Sequence, residues 1–169
     1  PLAAPYGVYT STQRVYPGND AYVHWSRYDT LGIVKYHVYL DDVRVTDEPV
    51  LGPSYTLSGL AENVNPGYKV NITAVYENMG ESPMSSDVNI QVAGQVALEV
   101  QVYDNNYSPV EGASVTLASG IDQFGYNIQD STFTTDASGY ASVNILKLAN
   151  YASYTVNINK ERYYDYEVT

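Results

Sequence analysis

Ser54-Tyr-Thr-Leu57-Ser-Gly-Leu60, then Pro66-Gly-Tyr68-Lys-Val-Asn-Ile72-Thr-Ala74, then Gly80-Glu-Ser82, is the stretch of sequence that decides the fold. A leucine before a turn, followed by Pro-Gly and an alternating strand opened by a tyrosine, is the pattern of a tyrosine corner. In such a corner the phenol hydrogen-bonds to backbone upstream, at the point where a β-sandwich crosses between its sheets. The pattern speaks to architecture and hardly to chemistry, because sandwich modules host many unrelated functions.

Strand signals spread in both directions from this corner. Upstream, Ala21-Tyr-Val23-His-Trp25-Ser alternates, which sets Val23 and Trp25 on one face and Tyr22, His24 and Ser26 on the other. Ile33-Val-Lys-Tyr36-His-Val38-Tyr-Leu40 alternates likewise, and Asp41-Asp42 reads as a hairpin turn into Val43-Arg-Val45-Thr. Residues 55–57, 68–75 and 88–92 supply further strands, with Trp25, Tyr36, Leu60 and Tyr68 as the structural anchors of the core. Beyond Ala93-Gly94 a second series begins with the strict alternation Val96-Ala-Leu98-Glu-Val100-Gln-Val102. The turn cluster Asp104-Asn-Asn-Tyr-Ser-Pro109 leads into Val110-Glu-Gly112-Ala-Ser-Val115-Thr-Leu117. Strands at 132–135, 140–145, 154–158 and 164–168 follow, with Asp136-Ala-Ser-Gly139 as a turn and one helical turn expected within Leu146-Lys-Leu-Ala-Asn-Tyr-Ala152. The expected fold class is all-β: two tandem Ig-like β-sandwiches, residues 1–94 and 95–169.

Composition narrows the function classes. No apolar run approaches the roughly 18 residues of a spanning helix, so membrane insertion is not expected. Zero cysteines removes disulfides, thiolate metal sites and cysteine nucleophiles together. With 19 acidic against 8 basic residues, a net charge of −11 opposes phosphate backbones and anionic lipid, so nucleic acid is not an expected partner. The chain begins at Pro1 and reads as a processed or excised piece. Nineteen tyrosines against two phenylalanines and one tryptophan is a pointed bias. Tyrosine suits a half-buried strand surface while keeping a polar end wet. It can serve as an ordinary strand residue, or make a sticky exterior for subunit packing or sugar stacking.

The first half resembles fibronectin type III modules. The resemblance is carried by Trp25, by Tyr36-His-Val38-Tyr39, by Leu57, Leu60, Pro66 and Tyr68, and by the segment from Ala74 through Ser82. Ala61-Glu-Asn-Val-Asn65 makes the corner loop longer than the family's usual one, and no Arg-Gly-Asp triplet occurs, so integrin-type adhesion is not carried over. The second half resembles transthyretin-like modules: carboxypeptidase-regulatory, collagen-adhesin B-type and bacterial Ig-like domains. There the signal lies in Val102 through Leu117, in Thr135-Asp-Ala-Ser-Gly-Tyr-Ala141 and in Tyr154-Thr-Val-Asn-Ile158. The adhesin domains' self-formed Lys–Asn isopeptide bond is not expected, because the strand from Val96 carries no lysine.

Little in the sequence points to catalysis. His24 and His37, the only histidines, are both expected on outward faces. The type III resemblance puts their strands in opposite sheets, which is poor geometry for a shared metal or a triad. No catalytic or cofactor-binding residue is expected, and the chain is read as not an enzyme. Asp41, Asp42 and Asp104 are weak candidates for Ca²⁺, the one cofactor considered. Asn71 and Asn106, in Asn71-Ile-Thr73 and Asn106-Tyr-Ser108, are candidate glycosylation sites, both expected to face solvent.

These readings predict a non-catalytic, extracellular structural protein of the cell surface: a filament or sheath subunit, or a stalk segment of an adhesin. Its expected partners are copies of itself or other surface proteins, and in a further reading carbohydrate. The alternative is a spacer or carbohydrate-binding pair of accessory modules in a secreted enzyme. The lead Pro1-Leu-Ala-Ala-Pro-Tyr6-Gly-Val8-Tyr9-Thr suits extended structure. It can close its own first sheet or add to the edge of a neighbouring subunit.

Overall fold

The computed structural model describes residues 2–26, 34–161 and 166–168, and these contain strands and turns but no helix. The chain divides into two compact units, Pro1–Val92 and Ala93–Thr169.

The first unit is a sandwich of two sheets. One consists of β1 (Tyr6–Thr10), β3 (Ala21–Ser26) and β6 (Ser54–Leu57), in the order β1-β3-β6. The other runs β2-β9-β7-β4-β5, from β2 (Arg14–Val15), β4 (Val34–Leu40), β5 (Val43–Arg44), β7 (Asn63–Tyr76) and β9 (Val88–Val92). A two-residue β8 (Gly80–Glu81) pairs with the end of β7. Ile33, which opens an expected strand, lies outside the described residues. Asp41 and Asp42 both take left-handed φ values, 48° and 66°, and join Leu40 to Val43. Two left-handed residues in a two-residue loop match the twist of the flanking strands, and short polar Asp tolerates that conformation better than most residues. The N-terminal lead closes its own sheet: Tyr9 lies opposite His24, Leu2 packs on the core, and the Tyr76 phenol donates to the Ala3 carbonyl at 2.8 Å.

Alternation fills the space between the sheets. Ala21, Val23 and Trp25 point inward from β3, while Tyr36, Val38, Val70, Ile72 and Ala74 point inward from the facing sheet. The rings of Trp25 and Tyr36 meet at 5.2 Å between centroids with a 59° tilt, the tilted geometry favoured by ring quadrupoles. Gly52, with φ +60°, lies so close that a Cβ there would come within 2.7 Å of the indole.

The second unit also has two sheets. β10 (Gln95–Gln101) and β13 (Tyr140–Leu146) form an antiparallel pair. β11 (Ser114–Ala118), β12 (Ser131–Thr134), β14 (Thr155–Asn159) and β15 (Tyr166–Val168) form the other sheet, in the order β12-β11-β14-β15. First therefore pairs with fourth, and second with third and fifth, so the chain crosses repeatedly between sheets. The helical turn expected after Leu146 is instead a bend: Leu148 bridges to Asp122, Ala152 donates to the Ala149 carbonyl, and Tyr151 adopts φ 66°.

Three turns of this unit share one geometry. In each, an aspartate Oδ1 accepts the amides two and four residues ahead: Asp104 from Asn106 and Ser108, Asp122 from Phe124 and Tyr126, Asp136 from Ser138 and Tyr140. The aspartate carbonyl accepts the amide three residues on, and its own N–H donates to the carbonyl four residues on. The fourth residue is left-handed each time: Tyr107, Gly125 and Gly139. An aspartate that takes up the amides of its own turn is what makes this residue a turn former.

Candidate functional site

Trp25 and Tyr36 are buried, Leu60 packs on the same cluster, and the Tyr68 hydroxyl donates to the Ala61 carbonyl at 3.1 Å. That bond reaches seven residues upstream, across the lengthened corner loop, and Tyr68 itself is half-buried.

Two expectations on the outer face of β4 and β7 need correction. His37 and Asn71 do point away from the core, but they are only 5% and 6% exposed. The loop after β5 and residues 80–86 cover that face. The imidazole Nδ1 of His37 lies 2.9 Å from the Thr46 hydroxyl, and the Asn71 Nδ2 donates to the Ser85 carbonyl at 3.1 Å. The nitrogen that would carry a glycan on Asn71 is therefore occupied and enclosed. Asn106, by contrast, is exposed at its turn. His24 stays on the outer face of β3, stacked on Tyr9 at 4.9 Å.

The candidate calcium ligands each have another task. The Asp41 carboxylate accepts the Lys69 amide, and Asp42 pairs with the Lys69 ammonium at 2.7 Å. The Asp104 Oδ1 is taken by two amides of its own turn. Among the described residues, no three or more histidine, aspartate or glutamate side chains gather where they could hold a metal.

A polar cluster that the alternation did not disclose sits over β4 and β7. Glu81, carried by the β7–β8 hairpin, accepts hydroxyl donors from Thr73 and, at 2.7 Å, from Tyr39. These two donors hold the Glu81 carboxyl below the usual carboxylate range. Burial and the adjoining carboxylate push the Tyr39 phenol up. Alongside, the edge of β7 is closed by serines: Ser82 and Ser85 hydroxyls accept the Ala74 and Ile72 amides, and their own amides donate back to the same two residues. A carboxylate kept ionised by neutral hydroxyls is a clamp across three strands and a poor proton donor.

The most extensive chemical feature is aromatic. Tyr6, Tyr9 and Tyr22 of the first unit, and Tyr103, Tyr107, Tyr126 and Tyr151 of the second, are exposed. Tyr9 also borders a cleft of about 310 Å³ lined by Val8, Gln13, Arg14, Asn89 and Gln91.

No protein-family profile and no curated protein matches the chain. Among solved structures, it is similar to the chicken interferon gamma receptor alpha chain, with 11% identity, 94% of this chain and 89% of that chain covered, and a TM-score of 0.41. It is similar at the same TM-score, 0.41, to the Clostridium thermocellum CbhA fibronectin(III)-like modules, with 12% identity and 95% and 90% of the two chains covered. The all-β sandwich assignment rests on the strands and their pairing.

Proposed function

We propose that this chain is a non-catalytic structural protein of the cell exterior, in which a type III-like and a transthyretin-like sandwich serve a surface filament, sheath or adhesin stalk. The observation that carries the reading is the outward display of tyrosine on both units of an acidic, cysteine-free chain. Tyrosine gives large contact area with little side-chain entropy to lose and a hydroxyl for the rim, which suits protein contacts. Clamped carboxylates and histidines set apart from one another support a scaffold role. Sedimentation and electron microscopy of the intact chain across a wide concentration range test the reading. Concentration-dependent assemblies are expected, and a strictly monomeric chain overturns self-assembly.

One observation favours a second reading, the carbohydrate-binding accessory module. Tyr9, backed by the His24 ring, borders a cleft lined by amides and a guanidinium, and a supported aromatic face beside polar groups suits a sugar ring. Titration with cello- and chito-oligosaccharides separates the two readings: binding lost in Tyr9→Ala favours the accessory module.

A further inference from the structure

Most sheet edges in this molecule are protected. β1 carries a register irregularity between Tyr6 and Tyr9, β2 and β5 are two residues long and each includes an arginine, and β12 and β15 are short. These are familiar ways of blunting an edge. β10 has none of them. It is seven residues long, pairs with β13 without a register break, and contains no proline, lysine or arginine.

The direction of its backbone groups follows from the ladder. Lys147 donates to the Gly94 carbonyl and Val102 to the Gly139 carbonyl. With the register running from Gln95 opposite Leu146 to Gln101 opposite Tyr140, the even-numbered residues of β10 bond to β13. The N–H and C=O groups of Gln95, Ala97, Glu99 and Gln101 therefore point to the other edge. Among the described residues, nothing pairs with that edge. The far edge of β13 is closed at its ends instead: the Asp136 turn takes the backbone of Tyr140, and the Leu146 carbonyl accepts the Tyr154 phenol.

The sequence of this edge is close to a palindrome: Gln95-Val-Ala-Leu98-Glu-Val-Gln101. Antiparallel self-pairing about Leu98 sets Gln95 opposite Gln101, Val96 opposite Val100, and Ala97 opposite Glu99. Leu98 meets its own copy at a non-hydrogen-bonded position, so the outward groups of Gln95, Ala97, Glu99 and Gln101 find partners. Val96, exposed in the single chain, gains a valine neighbour. Glu99, the one charge in the strand, lies opposite Ala97 of the second copy and meets the other Glu99 only diagonally, so no like charges sit directly opposite one another.

We propose that β10 is a self-recognition edge, through which two copies of this chain join antiparallel about a two-fold axis at Leu98. Each two-stranded sheet then becomes half of a continuous four-stranded one, in an isologous contact that closes as a dimer. The inference rests on the self-association reading above and assigns it a surface.

The register supplies the test. Position 97 faces Glu99 of the partner and is exposed in the single chain, so its charge is read mainly across the interface. By the usual strength of cross-strand pairs, counted twice by symmetry, Ala97→Glu weakens dimerisation about fivefold and Ala97→Lys tightens it about fivefold. Adding Glu99→Ala to Ala97→Glu restores the parent's dissociation constant. Sedimentation equilibrium measures all four chains, and thermal melts confirm that each is folded. Opposite shifts for the two charges support the assignment. Self-association indifferent to both charges overturns the β10 edge and leaves the assembly reading standing. A monomer at every concentration overturns both.

Discussion

Fourteen buried apolar residues form one cluster in the first unit, with Trp25, Tyr36, Tyr76 and Ile72 among them. In the second unit the buried apolar side chains among the described residues are Ala93, Val110, Ala113, Val115, Leu117 and Ala141, half of them alanine. Leu98, Val100, Val143, Ile145, Val156 and Ile158 alternate as core residues should, yet remain half-covered, with a two-stranded sheet facing a four-stranded one. The first unit is thus held by what lies between its sheets. The second leans on its turns, three of which are fixed by an aspartate that satisfies its own loop. Two units built from the same period-2 pattern reach order by different means.

The hardest blow to this contrast comes from the core of the first unit. Trp25→Ala should cost about 3–5 kcal/mol and abolish its unfolding transition; a small loss in urea melts would mean the indole is not a keystone. A matched pair of truncations sharpens the point. Val23→Ala, at a fully buried site, should cost about 2–3 kcal/mol, and the chemically identical Val156→Ala about 1 kcal/mol or less. Equal costs would erase the difference between the cores. Asp122, 2% exposed and accepting two amides, should cost about 1–3 kcal/mol on change to alanine. A silent Asp122→Ala would show that the turns are not what holds the second unit. Tyr107 is the only one of the three left-handed turn residues that is not glycine, so Tyr107→Gly should raise stability by about 0.5–1 kcal/mol. The last test concerns pH. Glu81 has its folded-state pKa lowered below 4.5, so its contribution is full above that value and disappears as pH falls through the folded value. The stability gap between the parent and Glu81→Gln should close on acidification; a gap that persists at low pH would remove the carboxylate as its cause.

Much of the fold was legible because alternation reports which way a side chain points. Trp25, Tyr36 and Tyr68 came from that signal and from turn chemistry, both local. His37 and Asn71 were misread for a definite reason: alternation gives the face of a strand but not what covers it. Here the cover comes from Thr46 and residues 80–86, placed by pairing with β4 and β7. The Glu81 cluster was hidden for the same cause, since Tyr39, Thr73 and Glu81 share no sequence period. The Asp122 turn was missed although its signal was present, for Asp122-Gln-Phe-Gly-Tyr126 repeats the spacing of Asp136-Ala-Ser-Gly-Tyr140. Leu146 to Ala152 looked helical from residue type alone, and a bridge to Asp122 decided otherwise.

The pairing of β2 with β9 is parallel, Arg14 beside Gln91 and Val15 beside Val92, with a further bond from the Gln91 amide to the Gln13 carbonyl. Tension drawn along the chain would enter the first unit near its first strands and leave it at Val92. Two parallel strands pulled from opposite ends slide past one another, so their hydrogen bonds bear the load together and do not open one at a time. The Tyr76 phenol on the Ala3 carbonyl fastens the lead to the same sandwich. The first unit is therefore connected as a link that resists stretching in shear, which is the mechanical property a surface stalk or filament would draw on.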